Sequence, residues 1–143
     1  MKCKTVVDKI REEEVVIYVH QSSQLSADIE NYVRARSEEL FGFDDKNAVK
    51  LNRSEIFCFT VENDRVYAYT EKERFLIKRR LYEVEETLDG GFVKINQSCI
   101  VNVEKIMRFD ASFSGTLSVT LKNGYKDYVS RRQIKKVKER IGI

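Results

Sequence analysis

The chain has 143 residues, 26 of them Lys or Arg and 23 Asp or Glu, a length for one compact domain or a domain with a short appendage, which excludes a multidomain enzyme. With 42% hydrophobic and 34% charged residues it can build a core, and no stretch approaches the ~18 apolar residues of a membrane span. Three widely spaced cysteines (Cys3, Cys58, Cys99) suit reduced thiols better than a disulfide framework. A single histidine, His20, without CxxC or HxxxH, leaves neither a zinc site nor a catalytic triad to assemble.

The N-terminus, Met1 to Asp8, lacks the continuous apolar run of a signal peptide, which points to the cytoplasm. Next, Glu14–His20 is a β-branched run of the kind found in buried strands, with His20 as a surface residue at its end. Gln21-Ser22-Ser23 ends it and offers caps for a helix carrying Leu25, Ile29, Tyr32, Val33 and Leu40 on one face, with Asp28 and Glu30 early and Gly42 as its stop. A strand near Ala48–Leu51 completes an N-terminal strand-helix-strand unit.

From Ile56 the period becomes that of a strand. Ile56–Val61, the turn Glu62-Asn63-Asp64-Arg65, Val66–Thr70, a tip at Glu71-Lys72-Glu73 and Phe75–Ile77 make a meander. Leu81, Val84 and Leu88 share one face of a short helix stopped by Asp89-Gly90-Gly91, and its Glu83, Glu85 and Glu86 read as solvated, with no base or nucleophile beside them. Phe92–Ile95, the polar break Asn96-Gln97-Ser98, Cys99–Val103 and Ile106–Phe109 return to strands. Leu117–Leu121 follows, with Asn123-Gly124 as a hairpin signal and Tyr128-Val129 on the return strand. Ser130 and Gln133 have capping-box spacing at the start of a final helix, whose inner face is Ile134, Val137 and Ile141. The class is α+β: the N-terminal unit over 1–50, then a mainly antiparallel β domain over 51–143.

The formal charge of +3 is unevenly spread, net −3 over residues 1–44 and net +6 over 45–143. Six cations (Arg131, Arg132, Lys135, Lys136, Lys138, Arg140) face one anion, Glu139, in ten residues, a surface able to attract phosphate. Arg131 and Arg132 occupy a first helical turn, where cations oppose the macrodipole by about 0.3–1 kcal/mol each unless an anion meets them. Helix amides and two guanidinium forks together suit phosphate or a guanine edge; an internal ion pair to Asp127 or Glu139 is the structural alternative. Asn96, Gln97 and Ser98, with Lys94 nearby, can donate and accept at base edges or phosphates, and so can the Glu62–Arg65 turn, although each is also an ordinary polar turn.

Ile56–Tyr67, Phe92–Asn102 with its Ser-x-Ile-Val-Asn ending, and Tyr128–Arg132 with Ser-Arg-Arg about 28 residues later, resemble in order and spacing the bacterial LytTR-type DNA-binding family, over about Leu51 to Ile143. The resemblance implies an elongated fold of packed antiparallel sheets that places loops into successive major grooves of double-stranded promoter DNA. Carried over by position, the contacts are Asn63 and Arg65, then Asn96, Gln97 and Ser98, then Arg131 and Arg132; Lys94, beside the polar break, and Lys135 and Lys136 on the basic helix are added from the charge pattern as further phosphate or groove groups. Family members commonly show His followed by a basic or amide residue where this chain has Asn96 and Gln97. Most such domains follow a phospho-receiver, for which residues 1–50 are far too few, so aspartyl phosphorylation is not expected. The resemblance implies a stand-alone cytoplasmic transcription regulator, a homodimer on repeated half-sites, with no cofactor or catalysis. Residues 1–50 would serve dimerisation, complete a sheet, or receive a regulatory membrane protein. The rival from another class is a protein-interaction or ligand-sensing module whose basic terminal helix meets an acidic partner.

Overall fold

The computed structural model describes residues 1–37, 39–88, 90–112 and 115–142. Its contacts divide the chain into residues 1–34 and 35–143. In the first unit the strand expected at Glu14–His20 does not form, and Val15 and Tyr18 are 60% and 93% exposed. β-Branched residues favour a strand only where a neighbouring ladder and a buried face reward them, and this run has neither. His20 is exposed outside any strand.

Helix α1 spans Gln24–Ser37. Its start is a reciprocal serine cap: the Ser26 amide donates to Ser23 Oγ (3.2 Å) and the Ser23 amide to Ser26 Oγ (3.1 Å). Asp28 falls beyond the first turn, which contains no acid, and the Gln24 side chain donates to it at 2.8 Å. The helix stops short of Leu40, which opens strand β1 (Leu40–Phe43) and is buried there. Gly42 is therefore a strand residue. A Cβ on it would lie 2.5 Å from Phe75 Cβ and 2.7 Å from Leu51 Cδ1, so the glycine permits close approach of strands.

The second unit continues with β2 (Ala48–Leu51), β3 (Cys58–Glu62), β4 (Arg65–Tyr69), β5 (Arg74–Ile77), helix α2 (Leu81–Glu86), β6 (Phe92–Asn96), β7 (Cys99–Asn102), β8 (Ile106–Ala111), β9 (Leu117–Leu121), β10 (Lys126–Val129) and helix α3 (Arg131–Ile141). Asp89, read as part of the stop after α2, lies outside the described residues. The strands form two antiparallel sheets, β2-β1-β5-β4-β3-β7-β6 and β10-β9-β8. The class is α+β, as expected, and the hairpin β1–β2 belongs to the large sheet.

Alternation along the central strands divides the core in two. Phe59 and Ile100 pack with Leu81 and Val84 of α2. Their neighbours Cys58, Cys99 and Val101 pack on the other face with Val119, Leu121 and Val129 of the small sheet and Val137 of α3. Because β3 and β7 bury both faces, they read as continuous apolar runs. Asn102, which ends the Ser-x-Ile-Val-Asn phrase, is buried for a structural reason: its Nδ2 donates to Ile56 O (2.9 Å) and its Oδ1 caps a 3-10 turn at Glu104 N (3.1 Å). No helix among the described residues is long and apolar enough to cross a membrane.

Candidate nucleic-acid interface

The β3–β4 turn has two central residues, Asn63 and Asp64, between the paired Glu62 and Arg65. Both have positive φ, 51° and 62°, the pairing required by a type I′ hairpin, and Asn and Asp are among the few residues that adopt it at low cost. Asn63 and Arg65 are exposed. Glu62 is held back: it accepts from Tyr69 OH and from Arg74 Nη1, both at 2.6 Å. Burial, and then the bond to Glu62, pushes the Tyr69 hydroxyl above the usual tyrosine value, so this hydroxyl keeps its proton and its bond across the β3–β4 pair.

The β6–β7 turn is Gln97-Ser98, and both residues are exposed. Asn96 before it is only 2% exposed. Its Nδ2 donates to Tyr128 O (2.9 Å) and Asp127 Oδ1 (3.2 Å), and its Oδ1 accepts from Ser98 N (2.8 Å). Buried, and with its amide so committed, Asn96 holds the Gln97-Ser98 turn against β10. Gln97 and Ser98 are left projecting.

At α3 the capping box does not form. Ser130 makes no side-chain cap bond, and its amide instead donates to Ile95 O at 2.8 Å. This docking of the helix start onto β6 replaces the Gln133 side chain as the partner of the Ser130 amide. Arg131 and Arg132 are exposed, and among the described residues neither guanidinium is held in an ion pair. Asp127, offered above as an internal partner, is instead engaged by Asn96, by Tyr125 OH (3.3 Å) and by the Tyr128 amide (2.8 Å). Burial chiefly pushes the Tyr125 hydroxyl up, and the bond with Cys58, then burial, pushes the Cys99 thiol up. These buried protons are held for structure, and none is poised for acid-base work near neutrality.

Two backbone bonds bring the three segments together. Val61 N donates to Ser98 O (2.8 Å), joining the β6–β7 turn to the end of β3 that enters the Asn63 turn. The Ser130 bond to Ile95 sets the start of α3 at the same end of β6. Asn63, Arg65, Gln97, Ser98, Arg131 and Arg132 thus share one end of the large sheet. Lys135 and Lys136 follow along α3, about 6 Å further on at 1.5 Å per residue. Lys94, half-buried, lies back from the turn and shares a cavity beside β6 with Lys136 and Arg140, together with the carboxylates Glu85 and Glu139. The run Lys78-Arg79-Arg80, which the strand-helix reading of the sequence passes over, is carried to the turn-bearing end by the pairing of Val66 with Ile77. Its signal in the sequence is three consecutive cations directly after a strand.

Polar turns framed by guanidiniums at one end of a sheet define a binding surface suited to a polyanion. The model of the LytTr DNA-binding domain family matches residues 46–142, and the chain belongs to that family, a DNA-binding and not a catalytic one. A Staphylococcus aureus (strain NCTC 8325 / PS 47) protein described as an uncharacterized HTH-type transcriptional regulator is 37% identical over 108 residues, 76% of this chain and 74% of the relative. Its counterpart in strain bovine RF122 / ET3-1 is 36% identical over the same shares. A solved structure described as the LytTr DNA-binding domain of a methyl-accepting/DNA response regulator from Bacillus cereus has the same fold, with a TM-score of 0.70 at 19% identity, over 75% of this chain and 99% of that one. In this chain no two helices follow one another among the described residues, so the helix-turn-helix of the relatives' names has no counterpart here.

Proposed function

We propose that the protein is a cytoplasmic, sequence-specific transcription regulator that reads promoter DNA by inserting turns, in place of a recognition helix, into major grooves. The observation that carries this reading is the gathering of the Asn63, Gln97 and Arg131 segments at one end of the sheet through the Val61–Ser98 and Ser130–Ile95 bonds. Gln97, Asn63 and Ser98 are the base-edge groups; Arg132 suits guanine or phosphate; Arg65, Arg131, Lys135 and Lys136 supply phosphate contacts, with Lys94 behind them. Asn96 acts by holding the Gln97 turn.

The protein acts as a homodimer on repeated half-sites, with residues 1–50 serving dimerisation or receiving a regulatory membrane protein. If about four to six phosphates are neutralised, log K falls with log salt at a slope of roughly −4 to −5. The test is a gel-shift with the DNA upstream of the protein's own gene, with Arg132→Ala and Gln97→Ala beside wild type. Both variants should lose specific binding while melting like wild type; full binding by both would refute the site assignment.

A further inference from the structure

Lys78, Arg79 and Arg80 lie between β5 and α2, outside the contacts assigned above. With Arg65 they line one surface groove whose only carboxylates among the described residues are Asp64 and Glu83. Neither carboxylate forms an ion pair with Arg65 or Lys78. Glu83 instead accepts from the Arg80 backbone amide at 3.2 Å, and the Lys78 ammonium sits 4.2 Å above the Phe43 ring, a contact that leaves its donors open to an anion. Arg65, Lys78 and Arg80 therefore outnumber the groove's two carboxylates, beside the same turn that presents Asn63.

Its distance from the other cations decides what it can reach. The strand order β5-β4-β3-β7-β6 puts four inter-strand steps between Lys78 and the start of α3, about 19 Å at ~4.8 Å per step. The major groove of B-DNA is about 12 Å wide. With the Asn63 and Gln97 turns over the groove, the two outer cation groups overhang its walls, Arg131 and Arg132 on one side and the β5–α2 run on the other. Resting on the DNA-binding reading above, we propose that Lys78 and Arg80 form a second phosphate clamp. It grips the sugar-phosphate backbone on the side of the groove opposite α3 and sets the tilt of the sheet end on the duplex. Phosphate contacts of this kind add affinity and register without reading sequence.

The test uses the full chain and a duplex of roughly 30 bp, three helical turns, enriched with the wild-type protein from a randomised library, beside a scrambled duplex. A Lys78→Ala/Arg80→Ala variant that melts like wild type should bind both duplexes more weakly by the same factor. Its salt slope should be shallower by about 2, one unit per lost phosphate contact. Phosphate-ethylation interference seen with wild type on the backbone flanking one side of the half-site should vanish for the variant, while the interference due to Arg131 and Arg132 persists. An unchanged slope and interference pattern would overturn the clamp and leave the turn-reading model intact. Loss of discrimination between the duplexes would overturn it too, by making these residues sequence readers. A wild-type chain that enriches no duplex would overturn both.

Discussion

Asn96 and Gln97 are adjacent in sequence, and their replacement by alanine should separate folding from binding. Asn96→Ala removes three hydrogen bonds at once and strands the Tyr128 carbonyl and the Ser98 amide. A buried polar group left without its partner costs about 1–3 kcal/mol, with Ser98 at the low end because water reaches an exposed turn. The sum is about 2–4 kcal/mol. At about 4 °C per kcal/mol for a domain of this size, the melting temperature should fall by about 8–16 °C. Gln97→Ala, on an exposed side chain, should stay within about 0.5 kcal/mol of wild type and yet lose specific DNA binding. Asn96→Asp keeps an acceptor for Ser98 but loses the donor and places a second carboxyl beside Asp127, which raises the new group's folded pKa. Its contribution is present at low pH, where the protonated acid can donate to Tyr128 O, and is lost as pH rises. Thermal melts across pH, paired with gel-shifts well below the melting temperature, read both effects. Wild-type melting of Asn96→Ala together with lost DNA binding would refute the reasoning, since Asn96 would then be a direct contact.

Ser130→Ala should leave stability within about 0.5 kcal/mol, because the hydroxyl makes no cap bond; a loss above ~1 kcal/mol in urea unfolding would show a cap forming in solution. Gly42→Ala should cost about 1–3 kcal/mol by driving a methyl into Phe75 and Leu51, and an unchanged urea midpoint would contradict that close approach. The hydroxyls of Tyr69 and Tyr125 are raised from 10.0, chiefly by burial. Their stabilisation is complete below pH ~10 and declines as pH climbs beyond it, so melts should weaken on the alkaline side. Tyr125→Phe should shallow that decline, and an unaltered alkaline arm would argue against the tyrosine's burial.

The β domain was largely legible because its signals are local. Alternation in Leu117–Leu121 and the continuous apolar run Ile56–Val61 each report how many faces a strand buries. Asn123-Gly124 did mark a hairpin, although only Gly124 takes positive φ, whereas the type I′ turn fell at Asn63-Asp64. The errors share one cause. The Val15-Val16-Ile17 run, the Gly42 stop and the Ser130-Gln133 box are each locally plausible, and each was decided by a partner distant in sequence or by the lack of one. Of the candidate site, residue types and approximate loops could be read from the chain. The internal commitment of Asn96 could not, because its partners lie about thirty residues away on β10.

Sequence by itself determined the class, the succession of elements along the chain from β3 onward, the basic bias of the C-terminal segment and the resemblance carried by its three phrases, since periodicity, charge and short-range spacing are properties of neighbours in the chain. Tertiary structure alone decided which turns share an end, that Ser130 docks on β6, that Asn96 faces inward while Gln97 faces out, and that Lys78-Arg79-Arg80 stands beside Arg65. Those outcomes depend on strand order and register, where one step moves a side chain by about 5 Å and one residue turns it to the opposite face.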